Sequence, residues 1–204
     1  MNLDYTNIIE FFFPLSEDAQ QLKGLAPDSF LPLYHTTIAA THTALLPSTH
    51  PQVKAAIHLN KYHYHKTAQR LLSTVLTAHL QSHAKHHTYI VPVPLSNKRL
   101  RARGYNQVTE ILRHAKPSLP NCTVTEKYLR RTRDTVAQTT LGRKKRLQNM
   151  KNAFVVPARA QSAVANAHII LVDDVTTTGA TLTAAASALQ AHAPASVTTI
   201  ALAH

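Results

Sequence analysis

The chain has 204 residues, 44% of them hydrophobic, which suits one main domain with a substantial core. No run reaches the roughly 18 apolar residues of a membrane span, and "FFFPL" near the start is too short and too close to Asp4 and Glu10 for a signal peptide, so the expected location is the cytoplasm without membrane insertion. Cys122 is the only cysteine, which excludes an internal disulfide and a cysteine zinc site, and 22 basic against 10 acidic residues give a net charge of +12. Between Lys98 and Lys151 lie 15 of those basic residues, opposed only by Glu110, Glu126 and Asp134, and none follows Arg159. Such segregation points to a large anion, either a nucleic acid or a phosphorylated small molecule.

Residues 1–50 carry Pro14, Pro27, Pro32 and Pro47 amid short apolar clusters, which predicts a short N-terminal hood ahead of a main domain over 51–204. From Pro51, Val53, Ala56, Ile57 and Asn60 fall at helical spacing, and Ala68, Leu71, Leu72, Val75, Leu76, His79 and Leu80 repeat it. Two helices, or one broken near "KYHYHK", are predicted. "TYIVPVP", 88–94, is β-branched and aromatic, and its prolines end the strand by Val93 in a rigid turn. "NQVTEILRHA" reads as a helix and "CTVTEKYL" as a strand, while 130–150, charged and without apolar periodicity, reads as a long loop or a loop plus helix. The unbroken apolar run "HIILV", 168–172, predicts a buried strand, "ATLTAAASALQAH" a helix and "SVTTIALA" a last strand. This alternation predicts an α/β fold with a mainly parallel central sheet flanked by helices.

The chemistry concentrates in "HIILVDDVTTTGATL", 168–182. In an open α/β sheet, ligands sit beyond the carboxyl ends of the strands. Asp173 and Asp174 fall there, and Thr176, Thr177, Thr178 and Gly179 follow, just before a helix whose free N–H groups and dipole favour an anion such as phosphate. Gly179 is expected to let the backbone approach that phosphate closely. Carboxylates repel phosphate, so their partners are hydroxyls or a divalent cation, and a diol beside a monophosphate describes a ribose 5-phosphate. A helix cap accounts for one such residue. It does not account for two acids, four threonines and a glycine together.

This order of residues resembles the signature of the phosphoribosyltransferases that use phosphoribosyl pyrophosphate (PRPP). The resemblance implies that Asp173 and Asp174 bind the ribose 2- and 3-hydroxyls, with Thr176, Thr177, Thr178, Gly179, Ala180 and Thr181 around the 5-phosphate. Upstream, "VPVPLSNKRLRARGYNQ", 91–107, and "LRRTRDTVAQTTLGRKKRLQNMKNAF", 129–154, resemble the two other signatures of the ComF competence family, so the likeness spans 51–204. It implies a type I phosphoribosyltransferase fold with PRPP and Mg²⁺ as ligands, the metal held through PRPP with no protein ligand assigned. It also implies a part in natural competence, with incoming single-stranded DNA and other competence proteins as partners. Ser96, Lys98, Arg99, Arg101 and Arg103 of the first motif match its pyrophosphate positions. Arg131, Arg133, Gln138, Arg146 and Asn149 of the second match a loop that closes over the substrate in related transferases. Charge alone agrees, because a pyrophosphate needs dense positive charge and a turn exposing amides, and the basic run before Gly104 offers both. Arg143, Lys144 and Lys145 are candidates for contacts to DNA phosphates.

One departure concerns the N-terminus. The family usually begins with a cysteine zinc module, and the first 50 residues here contain no cysteine, so the hood is expected to fold without zinc. His79, His83, His86 and His87 would share a helix face only if their helix extended that far, and they have no nearby carboxylate. Phosphoribosyl transfer would join a nitrogen nucleophile to the anomeric carbon as pyrophosphate leaves, but no residue is identified as the acid or base. A nucleobase salvage phosphoribosyltransferase and a non-catalytic PRPP-sensing protein remain open as alternatives, because hood residues choose the acceptor.

Overall fold

The computed structural model describes residues 16–39, 42–83, 86–132 and 152–204. Ser16 caps the first helix, α1 (Glu17–Leu22), by accepting from Ala19 N at 3.3 Å. Two short strands follow, β1 (Thr37–Ala39) and β2 (His42–Leu46). Helix α2 (Pro51–Tyr62) starts on a proline whose fixed φ suits a first helical position, and it ends before Tyr64, which sits at φ 50°. Helix α3 (Lys66–His83) then runs for 18 residues, so the expected break falls in "HYH". Because α3 ends at His83, the four histidines share no helix face. His83 stacks on His79 at 4.1 Å, and His86 stacks on His168 at 4.9 Å.

Strand β3 (Thr88–Pro92) ends where its prolines predict. The residues beyond Ser96, expected as a turn, form a helix instead, α4 (Asn97–Arg103). Ser96 accepts from Arg99 N at 3.3 Å at its start, and Gly104 at φ 82° closes it. Helix α5 (Gln107–Ala115) follows under an Asn106 cap, and the strand expected in "CTVTEKYL" is only β4 (Cys122–Val124). The pair β5 (Arg130–Arg131) and β6 (Phe154–Val155) is antiparallel and separate from the main sheet. Short α6 (Gln161–Val164) leads to β7 (His168–Val175), helix α7 (Ala180–Gln190) and β8 (Ser196–Ala203).

The main sheet has the order β1-β2-β8-β7-β3-β4, and every pairing in it is parallel except β1 with β2. The unbroken apolar run of β7 has a physical cause: both faces of the strand are covered. Ile170 and Val172 pack with Ile200, Leu76 and Ile111 on the side of α2, α3 and α5, whereas Ile169 and Leu171 pack with Leu182 and Leu189 on the side of α7. The hood segment contributes directly to this sheet, since β2 pairs with β8 through Thr43 opposite Ile200 and Leu46 opposite Ala203.

Candidate functional site

Strand β7 continues past Val172 and carries both aspartates within it, with Asp173 opposite Ala201 and Val175 opposite Ala203 at the carboxyl end of the sheet. Successive residues of a strand face opposite sides, and the two carboxyls are held differently. Asp174 is buried toward α2 and α5, where its Oδ2 meets Lys61 Nζ at 3.0 Å and accepts from Gln107 Nε2 at 2.9 Å. Its Oδ1 accepts from Val175 N at 2.7 Å. Half-buried Asp173 uses Oδ1 to accept from Asp174 N at 2.9 Å. Burial first, and the neighbouring Asp174 charge second, push the Asp173 carboxyl up to about 7, while the Asp174 amide and Lys61 oppose the shift.

The threonine turn after β7 is tied to the end of the sheet. Thr176 N donates to Ala203 O at 3.0 Å, and Thr176 O bonds His204 Nδ1 at 3.0 Å. Thr177 is exposed and Thr178 half-buried. Gly179 has φ 71° and opens α7, where its carbonyl accepts from Thr183 N at 2.9 Å. A Cβ on Gly179 would be driven into the ring of His42. That buried ring reaches from β2 under the turn, with Nδ1 2.9 Å from Thr199 Oγ1 and Nε2 3.4 Å from Thr183 Oγ1. Burial lowers the His42 pKa, and a backbone contact with Gly179 opposes the shift.

A cleft of about 480 Å³ opens in front of β7. Its lining includes Asp173, Asp174, Lys61 and Thr181 together with Arg99, Arg103 and Arg131. Arg103 is anchored, since it donates to Gln107 Oε1 and lies 5.5 Å from the Tyr62 ring centroid. The structure therefore gathers Arg99, Arg103, Arg131, Asp173, Asp174 and Thr181. It leaves Thr176 through Ala180 outside the lining. Lys98 and Arg101 lie on α4, exposed and away from this cleft, and Ser96 is buried as the α4 cap. Arg133, Gln138, Arg143, Lys144, Lys145, Arg146 and Asn149 lie outside the described residues.

Lys61, Gln107 and His42 are site residues that the sequence reading did not single out. Lys61 opens "KYHYHK" and Gln107 closes "RARGYNQ", so both stood in stretches already marked, but their partner is an aspartate on another element. His42 carried no signal, because its neighbours are distant in sequence.

A mostly parallel sheet with an acid pair at one strand end and a threonine–glycine turn after it is consistent with a type I phosphoribosyltransferase fold. The phosphoribosyl transferase domain family matches residues 124–204. Relatives include the DNA utilization protein YhgH of Salmonella typhimurium, 34% identical over 130 residues that make up 64% of this chain and 55% of that protein. The protein of the same name in Escherichia coli O157:H7 is 29% identical over 198 residues, covering 89% of this chain and 85% of the relative. Competence protein F of Haemophilus influenzae is 34% identical over 126 residues, 60% of this chain and 53% of that protein. The alignments to the Salmonella and Haemophilus proteins thus span little more than half of each relative's length. The family match and these relatives support a ComF-like phosphoribosyltransferase family for the chain. Among the described residues, no helix is long and apolar enough to cross a membrane.

Proposed function

We propose that this protein binds PRPP with Mg²⁺ in the cleft at the end of β7 and transfers the phosphoribosyl group to a nitrogen acceptor. We place this activity in the cytoplasm, in the handling of incoming single-stranded DNA during natural competence, alongside other competence proteins. The observation that carries the reading is the presence of both charges in one cleft, divided between the carboxylates of Asp173 and Asp174 and the guanidinium groups of Arg99, Arg103 and Arg131. A ribose whose diol meets carboxylates and whose pyrophosphate meets guanidinium groups suits that division. The names of the relatives, which speak of DNA utilization and competence, support the DNA part.

In the transfer, the bond from the anomeric carbon to a pyrophosphate oxygen breaks, a bond from that carbon to the acceptor nitrogen forms, and the nitrogen loses a proton. The chain's contribution is orientation and charge. Asp174, fixed by Lys61, Gln107 and the Val175 amide, presents a preset carboxylate wall, and Arg103, fixed by Gln107, faces the leaving group. Among the described residues there is no group of three or more His, Cys, Asp or Glu side chains that could cage a metal. Mg²⁺ keeps several waters and takes one or two carboxylates plus substrate phosphates, so Asp173 and Asp174 are the side chains that would lie nearest it. When bound, the metal would neutralise charge on the departing pyrophosphate.

Isothermal titration with PRPP and Mg²⁺ tests the binding, and a pyrophosphate-release assay over nitrogen acceptors tests the transfer. The double variant Asp173→Asn with Asp174→Asn is expected to lose affinity while remaining folded, and unchanged affinity would overturn the assignment. Release with free nucleobases would favour the salvage enzyme. Binding without release on any acceptor would favour the PRPP-sensing protein.

A further inference from the structure

Helix α4 has two faces. Arg99 and Arg103 look into the first cleft, whereas Asn97 and Leu100 look into a second, of about 650 Å³, between α4, α5 and the end of β3. This volume lies within the usual range of small-molecule sites, about 300–1,000 Å³. Its mouth holds an aromatic pair, Tyr64 and Tyr105, with ring centroids 4.8 Å apart and planes at 81°. The pair is fixed by hydrogen bonds. Tyr105 Oη donates to Asn60 O at 2.6 Å and accepts from Tyr64 N at 2.9 Å, and Tyr64 Oη donates to Glu110 Oε2 at 2.8 Å. Tyr64 holds φ 50°, which a non-glycine residue adopts only where surrounding contacts enforce it, yet the residue is 44% exposed. A strained backbone thus holds a large aromatic surface against solvent.

The polar groups of this cleft define what enters it. Both Glu110 oxygens are engaged, one by Tyr64 and the other by Arg113 at 2.7 Å. Exposed Glu126 accepts from the Thr109 hydroxyl through one oxygen, which leaves the other to a ligand donor. Arg113, Arg130 and Arg131 also line the cleft, and Arg113 is paired with Glu110. A flat ring bearing an amine fits the tyrosine and the open Glu126 oxygen: the ring lies against a tyrosine, and carboxylate and asparagine side chains are groups that read the amines of cytosine and adenine. Outside the cleft, α4 exposes Lys98 and Arg101, the cations that a sugar-phosphate backbone requires.

We propose that the second cleft takes one amino-bearing base, cytosine or adenine, of a DNA single strand whose phosphates run along α4. This rests on the DNA part of the proposed function and is independent of its PRPP part. The test is fluorescence anisotropy of the whole protein with oligo-dC, oligo-dA, oligo-dT and an abasic oligomer of equal length, alongside PRPP titration. The wild type is expected to prefer oligo-dC and oligo-dA over oligo-dT, and oligo-dT over the abasic strand. Tyr64→Ala should weaken oligo-dC and oligo-dA about tenfold or more, Tyr64→Phe should restore most of that loss, and neither should change PRPP affinity. Glu126→Gln should narrow the preference for oligo-dC over oligo-dT. Equal affinity of the wild type for all four oligomers would overturn the proposal, as would wild-type binding by a folded Tyr64→Ala. Free dCMP or dAMP binding as tightly as the oligomers would overturn its assignment to a strand. A wild type that discriminates among the oligomers but ignores PRPP would uphold the base site while removing the PRPP reading.

Discussion

The side-chain amide of Gln107 donates to Asp174 Oδ2 at 2.9 Å while its carbonyl accepts from Arg103, so one residue joins the acidic and basic walls of the first cleft. Gln107→Ala should release both walls together. Hydrogen bonds to charged groups contribute roughly 1.5–3 kcal/mol, and PRPP affinity is expected to fall about tenfold or more on that basis. Titration calorimetry on Gln107→Ala and Gln107→Glu checks this. The glutamate should be the worse of the two, since it sets a third carboxylate against Asp174.

Asp173 predicts a pH dependence of stability. Its folded pKa of about 7 lies above the ordinary value of 3.8, so between those values the folded state holds more proton than the unfolded one. Stability from this group therefore falls as pH rises from about 4 to about 7 and is level above that. Asp173→Asn should raise the melting temperature relative to wild type at pH 8 and leave it nearly unchanged at pH 4. A constant difference across that range would show that the carboxyl titrates normally.

Gly179 should prove structural as well as functional. Gly179→Ala places a methyl group into the His42 ring and an alanine at φ 71°, and left-handed backbone alone costs an L-residue roughly 1–2 kcal/mol. A lowered melting temperature is expected even without ligand. Adding His42→Ala should recover the steric part and leave the backbone part, which a double-mutant cycle separates. A Gly179→Ala variant with wild-type melting but no PRPP binding would point to the phosphate alone.

Lys98 and Arg101 are exposed on α4 and do not line the first cleft. Replacing both with alanine should leave PRPP affinity nearly intact and reduce the salt dependence of single-stranded DNA binding. Every DNA phosphate that is no longer neutralised should take about 0.7 off the slope of log affinity against log salt. An unchanged slope would assign the strand to other cations.

The fold was legible where one element determines its own pattern. "HIILV" read as a buried strand because both its faces are covered, "SVTTIALA" read as a last strand, and the acid pair with its threonine–glycine turn stood out because its residues are contiguous. Helix α4 escaped because "NKRLRAR" buries no residue and has no apolar stripe, although Ser96 and Gly104 marked its ends. Strand β2 escaped because it is five residues long and finds its partner in β8. The tyrosine pair was hidden for a similar reason: Tyr64 and Tyr105 meet only when the α2–α3 turn folds onto the start of α5.

The pairing of β2 with β8 also sets an order of events during synthesis. His42 and Thr199, which bond beneath the threonine turn, are 157 residues apart, and contacts so distant along a chain form late and slow folding. On a ribosome adding about 5–20 residues per second, β2 has no partner for its β8-facing edge until β8, about 150 residues later, has emerged. An unpaired strand edge is a template for wrong association. The Lys and Arg residues made in the meantime keep the nascent chain strongly cationic, and like charges hold neighbouring chains apart while β2 waits for β8.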